Sequence, residues 1–319
     1  MKYLVNQIKK SSKQFRYFFY SHMPSFLYPW ALKRWYYKRT KRKLNLHNPE
    51  TFNDKIQWSK LYDSTPIKTK LADKYAVRAW VKEKAGEKYL IPLLGVYDRF
   101  EDINFDNLPN QFVIKCNHGS GYNIIVKDKK SLNLENIRRT ITTWMHENFA
   151  FKGGFELHYS PIKPKIMIEK YMEDESGELS DYKFLCFNGQ PIIIWVDSHR
   201  YTNHKRNVYD LNWNLLSYNF HTYGTFPSIP KPSCLDEMIK LVRILCASFN
   251  MVRVDFYIIN NHIFFGEMTF TSSSGLEPIS DRSFDDYLSS KFKLPKQAYN
   301  FKTGQYYNFP FTKRRHNVY

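Results

Sequence analysis

The sequence predicts an α+β fold with mostly antiparallel strand pairing. Two hairpins argue for it. One closes on Asn188-Gly189, a dipeptide suited to a two-residue turn with left-handed backbone at both positions. The other joins residues 251–259 to residues 263–269. The third observation is the order of elements: helices separate hairpins, without the strand–helix–strand alternation of a parallel sheet. The chain has 319 residues, enough for two or three lobes with cores of their own, and carries no internal repeat.

Asn48-Pro49-Glu50-Thr51 is a turn leading into a helix. Residues 67–85 read as one helix with Leu71, Tyr75 and Val81 on its apolar face, and residues 90–96 as a strand. A Pro/Asn/Asp-rich linker closes near Asn110. Residues 112–116 form a strand, His118-Gly119-Ser120-Gly121 a tight loop, and residues 122–126 a returning strand. Residues 133–149 have helical amphipathic spacing, and 165–171 read as a strand. Residues 182–197 make the hairpin about Asn188-Gly189. Residues 198–212, rich in His, Arg and Asn, read as a mobile loop. Residues 233–249 form a helix with Ser233 as N-cap and Asp236 and Glu237 in its first turn.

Charge is uneven along the chain. Lys and Arg number 48 against 30 Asp and Glu, a net +18, which points to anionic partners. Residues 1–49 hold twelve Lys/Arg and no Asp or Glu, two-thirds of that excess. The same segment is rich in rings: Phe15, Tyr17, Phe18, Phe19, Tyr20, Trp30, Trp35, Tyr36 and Tyr37. Its longest uncharged run, residues 17–32, has 16 residues and is broken by Pro24 and Pro29. A spanning helix needs about 20 apolar residues. No signal-peptide pattern is present either. Two readings of residues 1–45 stand side by side: attachment to an anionic membrane surface, or a helical hairpin packed on its own body. No nucleic-acid motif accompanies the arm, so nucleic acid is not an expected partner. Cys116, Cys186, Cys234 and Cys246 lack metal-ligand spacing and read as free thiols of a reducing cytoplasm, the expected location.

Three groups of residues could carry chemistry. Lys115 precedes the loop Gly119-Ser120-Gly121, where backbone N–H groups can approach phosphate oxygens and the ammonium can neutralise them. No Walker-type GK[ST] follows. Arg253, Asp255, Glu267 and Thr269 lie on neighbouring strands. Two acids there can hold Mg²⁺, and an Arg suits a transferring phosphoryl group. The alternative is a cross-strand ion pair. Glu169 and Lys170 end a strand, followed by Asp181 and Lys183; such a strand end can offer its backbone to a base and a carboxylate to a ribose, or be a core strand with exposed charges.

The order of these groups resembles the ATP-grasp superfamily. Asp73-Lys74, Phe112-Val113-Ile114-Lys115, Asp181-Tyr182-Lys183-Phe184, Phe187-Asn188-Gly189 and Gly266-Glu267-Met268-Thr269-Phe270 resemble most the TupA-like branch, tied to teichuronopeptide and capsular polysaccharide synthesis. The resemblance covers about residues 47–295. It implies an ATP-grasp fold: two α+β lobes with antiparallel sheets gripping ATP, after a basic, aromatic helical arm. The expected divisions are an arm over 1–46, an N-terminal lobe over 47–110, an ATP-grasp domain over 111–300 and a tail over 301–319.

The same resemblance implies the cofactors ATP and Mg²⁺. Lys74 and Lys115 match phosphate-binding lysines, with Gly119, Ser120 and Gly121 as the loop. Glu169 and Lys170 fall at the adenine hinge, Asp181 at the ribose, and Lys183 beside it. Asp255 and Glu267 match the metal ligands and Arg253 the arginine near the γ-phosphate. Thr269 stands where these enzymes commonly carry Asn, and its hydroxyl remains a metal ligand. Arg200, Arg206 and Ser274 are the candidate substrate contacts. The implied activity is carboxylate–amine ligation through an acyl-phosphate, joining an acidic glycan or uronic acid to an amino acid or amine. A glycosyltransferase is the rival reading, but no DxD acid pair occurs; a non-enzymatic assembly factor would show no ATP turnover.

The metal pair depends on strand register. A two-residue turn at Asn260-Asn261 puts Asp255 opposite Gly266 and turns Glu267 away. A three-residue loop, Asn260-Asn261-His262, puts Asp255 opposite Glu267 and Arg253 opposite Thr269. The three-residue register is the expectation, with a cation between the opposed carboxylates.

Overall fold

The structure is a computed structural model that describes residues 14–174, 179–198, 203–218 and 224–311. Strands β1 (Leu93–Tyr97), β2 (Phe112–Cys116), β3 (Asn123–Val126) and β4 (Ile166–Lys170) form one sheet in the order β1-β4-β2-β3. Strands β5 (Asp181–Phe187), β6 (Gln190–Ser198), β7 (Lys205–Tyr209), β8 (Leu215–Leu216), β9 (Met251–Ile259) and β10 (His262–Thr269) form a second, ordered β10-β9-β5-β6-β7-β8. Every pairing between these strands is antiparallel, as the sequence predicts. A separate hairpin, β11 (Gln297–Asn300) with β12 (Gln305–Asn308), follows. Pairing crosses two expected boundaries: β1 shares a sheet with β2–β4 across residue 110, and the last hairpin straddles residue 300.

Helices α1 (Tyr28–Thr40), α2 (Phe52–Tyr62), α3 (Pro66–Ala72), α4 (Ala76–Lys84), α5 (Leu134–Met145), α6 (Phe149–Lys152), α7 (Leu235–Cys246) and α8 (Arg282–Lys291) cover the sheets and their connections. Thr51 starts α2 through a capping box: its hydroxyl accepts from Asp54 N at 3.1 Å, and Asp54 accepts from Thr51 N. α7 lays Leu235, Met238, Val242 and Leu245 on β6 and β9. The spacing i, i+3, i+7, i+10 gives it one apolar stripe. Its N-cap is Cys234 without a side-chain bond; Ser233 instead donates to Asn261 Oδ1. The four cysteines are buried and unpaired.

Two sequence expectations are corrected here. The helix over 67–85 is broken at Asp73. The Asp73 Oδ1 accepts from Tyr75 N at 2.8 Å, Ala76 N at 3.1 Å and Asn117 Nδ2 at 2.9 Å. A short polar side chain competes here with the helical backbone for its own N–H groups. Within 198–212, Lys205–Tyr209 is a buried strand, while residues 199–202, Arg200 among them, lie outside the described residues.

The β9–β10 hairpin corrects a third. Ile259 pairs with His262, so the turn has two residues, and Asn260 (φ 49°) and Asn261 (φ 60°) are both left-handed. The three-residue register is therefore wrong. A β-bulge between Phe265 and Glu267 makes Gly266 an extra residue. Asp255 consequently faces Glu267 after all, and Arg253 faces Thr269. A Cβ at Gly266 would lie 3.1 Å from the Asp255 carbonyl and 3.2 Å from the Tyr257 ring. Gly266→Ala is expected to cost about 1–3 kcal/mol of stability by crowding that bulge, read from urea denaturation.

The arm packs inward with Ala31, Leu32, Trp35 and Tyr36, all buried. Tyr36 donates to Asp54 Oδ1 at 3.0 Å, and the Trp35 ring lies 4.4 Å from the buried Lys60 Nζ. His158, its ring 6.1 Å from that of Phe270, is buried with Nε2 unpartnered among the described residues, and burial pushes its pKa down to about 3. The unfolded imidazole takes a proton near its ordinary value while the native one refuses it. Native stability should therefore fall as pH drops from about 6.5 towards 3, by about 1.4 kcal/mol per unit. His158→Leu should flatten that slope in chemical melts between pH 6.5 and 4. Among the described residues, no helix is long and apolar enough to cross a membrane.

Candidate functional site

A cleft of about 350 Å³ lies where the two sheets meet. The first sheet supplies Lys115 from β2, Asn123 from β3 and Glu169 from β4. The second supplies Asp181 and Lys183 from β5, Arg253, Asp255 and Tyr257 from β9, and Glu267 from β10. Lys74 enters from the break between α3 and α4, and Arg78 from α4.

Period-two alternation places Lys115 and Val113 on one face of β2, and Val113 pairs with Glu169 on β4. Lys115 Nζ therefore reaches Glu169 Oε2 at 2.5 Å. Arg78 holds the other carboxylate oxygen at 3.2 Å and donates to the Ile91 carbonyl at 2.8 Å. The Asp73 kink points Lys74 at the Gly119 carbonyl, 2.6 Å away, and at Glu267, 3.9 Å away. Burial pulls the Lys74 pKa down, against the pull of Glu267. Gly119 is buried where a Cβ would meet the Tyr122 and Phe149 rings, while Ser120 and Gly121 (φ 74°) line the cleft.

Arg253 is the hub of the second wall. Its Nε and one terminal nitrogen clamp Asp255, both at 2.7 Å, and that nitrogen also reaches Glu267 Oε1 at 3.0 Å. The other terminal nitrogen donates to Ser272 Oγ at 3.1 Å, and Ser272 donates to Glu277 at 2.8 Å. Burial raises the Asp255 carboxyl despite the clamp. Burial would also raise Glu267, but Lys74 and Arg253 outweigh it and hold its pKa at about 2. The cation between the opposed carboxylates is thus the Arg253 guanidinium. Thr269 donates to Glu267 Oε1 at 2.9 Å.

On β5, Lys183 bonds Asp197 and lies 3.6 Å from Asp181. Asp197 sits opposite Arg206 on β7, which clamps it and reaches Glu277 at 3.3 Å. Arg206, expected at the substrate, is therefore buried in ion pairs and does not line the cleft. Nor do Lys170, exposed at the end of β4, or Ser274, which donates to the Gly153 carbonyl. Sequence reasoning missed Arg78 and Tyr257. Arg78 stands four residues after Lys74, a spacing that would share one face of the single helix the sequence predicts over 67–85. Tyr257 shares a strand face with Arg253 and Asp255.

A family model for TupA-like ATP-grasp proteins matches residues 54–293, three-quarters of the chain. The chain belongs to the TupA-like ATP-grasp family. Solved structures with similarity include D-alanine–D-alanine ligase from Bacillus anthracis in complex with ATP, at 19% identity and TM-score 0.38, over 63% of this chain and 54% of that one. N5-carboxyaminoimidazole synthetase from Staphylococcus aureus in complex with ADP matches at 14% identity and TM-score 0.42, over 71% and 53%. D-alanine–D-alanine ligase from Helicobacter pylori matches at 15% identity and TM-score 0.37, over 71% and 59%. This chain spans little more than half the length of those proteins. A comparison with curated protein sequences finds no match.

The TupA-like cleft fits the metal its fold implies. Among the described residues, no group of three or more His, Cys, Asp or Glu could hold an ion alone. Asp255 and Glu267 line it, however, and with the Thr269 hydroxyl, which does not line the cleft but bonds Glu267, they are an all-oxygen set; Mg²⁺ commonly takes one or two carboxylates and completes its shell with water and phosphate oxygens. The cleft holds five cationic side chains against four carboxylates, Glu169, Asp181, Asp255 and Glu267. One net positive charge is too little to neutralise a triphosphate unaided.

Proposed function

We propose that this protein is an ATP-dependent carboxylate–amine ligase that amidates a uronic acid of a surface polysaccharide with an amino acid or other amine. The observation that carries the reading is the convergence of Lys74, Lys115 and Arg253 with the Asp255–Glu267 pair in one cleft shared by two sheets. Family membership supports the nucleotide, and the family's name supports the polysaccharide pathway.

In this reading Lys74 and Lys115 hold phosphate oxygens beside the Gly119-Ser120-Gly121 loop. Ile91, Tyr257 and Phe265 give the base an apolar wall, and Asp181 faces the ribose. Asp255, Glu267 and the Thr269 hydroxyl would hold Mg²⁺, which would neutralise phosphate charge when bound. A substrate carboxylate oxygen attacks the γ-phosphorus and ADP leaves. The amine nitrogen then attacks the acyl carbon, loses a proton, and phosphate departs. Position and charge neutralisation accomplish this, with no protein nucleophile. Arg253 touches the transferring group, and its bond to Ser272 ties that group to the turn at Ser273 (φ 45°) and Ser274 (φ 55°). Strained backbone of this kind persists where the surroundings over-determine it.

The test is ADP release from ATP with uronic-acid glycans, screened across amino acids. ATP with Mg²⁺ should also raise the melting temperature, since a ligand of the folded state stabilises it by mass action. UDP-sugars should raise it less. The reverse ranking, with no ADP formed, would favour the glycosyltransferase.

A further inference from the structure

The arm has two faces, and its packing accounts for only one. In α1, Tyr28, Ala31, Leu32, Trp35 and Tyr36 are buried, while Trp30, Lys33, Arg34, Tyr37 and Lys38 are exposed. The exposed set runs i, i+3, i+4, i+7, i+8, one stripe of the helix. The helix at residues 14–22 repeats the division. Tyr17 accepts from Asn148 N at 2.7 Å and Tyr20 packs 4.9 Å from the Phe155 ring. Phe15, Phe18 and Phe19 point outward, the first two 73% and 61% exposed. Phe26, at the turn between the helices, is 78% exposed and Trp30 is 53% exposed.

Outward phenylalanines carry no polar atom that water can satisfy, so their exposure marks an interaction surface. The charge around them chooses the occupant. Residues 1–49 carry no acidic side chain, and Lys33, Arg34, Lys38, Lys41, Arg42 and Lys43 are all exposed. Rings that settle at the headgroup level, beside cations with no anion to repel phosphate, match an anionic bilayer surface. The C-terminal hairpin extends the same face. A groove of about 290 Å³ runs between Phe26 and Pro29 of the arm and Phe301, Lys302 and Tyr307 of the hairpin. Because the inward face is fixed to α2 through Tyr36–Asp54 and Trp35–Lys60, docking through this face would hold the body rigidly to the surface.

We propose that the arm and the β11–β12 hairpin form a docking face for an anionic lipid bilayer. The proposal is independent of the ligase reading and stands or falls by vesicle binding alone. The experiment floats the full chain with phosphatidylglycerol–phosphatidylcholine vesicles and with pure phosphatidylcholine. Two variants accompany it: Phe15→Ser with Phe18→Ser, Phe26→Ser and Trp30→Ser, and separately Lys33→Gln with Arg34→Gln and Lys38→Gln. These positions are solvent-facing, and the melting temperature reports folding of each variant independently. Wild type should float with anionic vesicles only, less so at high salt, and each variant should bind at least about tenfold more weakly. Equal binding to neutral vesicles, no flotation, or retention by both folded variants would overturn the proposal. A dimer in sedimentation that the aromatic variant dissolves would assign the face to a second copy and overturn it equally.

Discussion

Arg253→Ala is expected to lose ATP turnover and about 3–5 kcal/mol of stability together. Asp255 is buried, and Arg253 is the group that clamps both of its oxygens. Removing the guanidinium leaves a carboxylate with no compensation, which costs more than the pair contributed. The variant should respond by protonating. Burial already raises the Asp255 pKa above its ordinary value with the arginine present, and its loss pushes it further. The native acid then binds a proton that the unfolded chain releases. The variant's stability is therefore fully present below the ordinary carboxyl pKa and is lost as pH rises through the raised native one, by about 1.4 kcal/mol per unit. Asp255→Asn in the same chain should restore most of the stability without restoring turnover. Urea melts of wild type, Arg253→Ala, Asp255→Asn and the double variant give the coupling energy. If Arg253→Ala alone cost less than about 1 kcal/mol at neutral pH, the clamp would not be what holds Asp255.

How the sequence expresses this site varies by element. The Asn188-Gly189 turn was legible because the dipeptide dictates backbone geometry locally: both residues are left-handed, at φ 51° and 76°. The opposition of Asp255 and Glu267 was also legible, but by a route the structure corrects. Counting from the turn assumed an unbroken ladder. The Asn260-Asn261 turn is the shorter one, and the bulge at Gly266 supplies the missing residue. A glycine in a strand is the usual mark of a bulge, and Gly266 carries that mark within Gly266-Glu267-Met268-Thr269-Phe270. The break at Asp73 escaped because its cause is Asn117, 44 residues away, as well as the local backbone. Arg206 was misread for a similar reason. Its composition-rich surroundings suggested a loop, whereas strand pairing sets it directly opposite Asp197. Such long-range pairings carry no local signature.

Glu267→Gln should abolish the Mg²⁺-dependent part of nucleotide binding and lower turnover by at least about 100-fold, while leaving the fold nearly intact. The two carboxylates of the pair are not equivalent. Asp255 has both oxygens clamped by Arg253 and is buried. The Glu267 side chain is 32% exposed, and its Oε2 faces the cleft with Lys74 at 3.9 Å. Its pKa, held down to about 2 by Lys74 and Arg253, keeps it ionised at neutral pH. An ion entering with the triphosphate thus meets Glu267 first. An amide keeps the size and one acceptor but gives up the charge, so Lys74 and Arg253 lose an anion they partly share. Exposure softens that loss, and the expected change in stability is under about 1 kcal/mol. The distinguishing readout is thermal: in wild type, ATP with Mg²⁺ should raise the melting temperature more than ATP with a chelator. In Glu267→Gln the two shifts should coincide, because the phosphate contacts of Lys74 and Lys115 survive while the carboxylate left to the metal, Asp255, has both oxygens clamped by Arg253. A variant that kept the full difference would remove Glu267 from the metal site and leave the oxygen set too small to hold the ion.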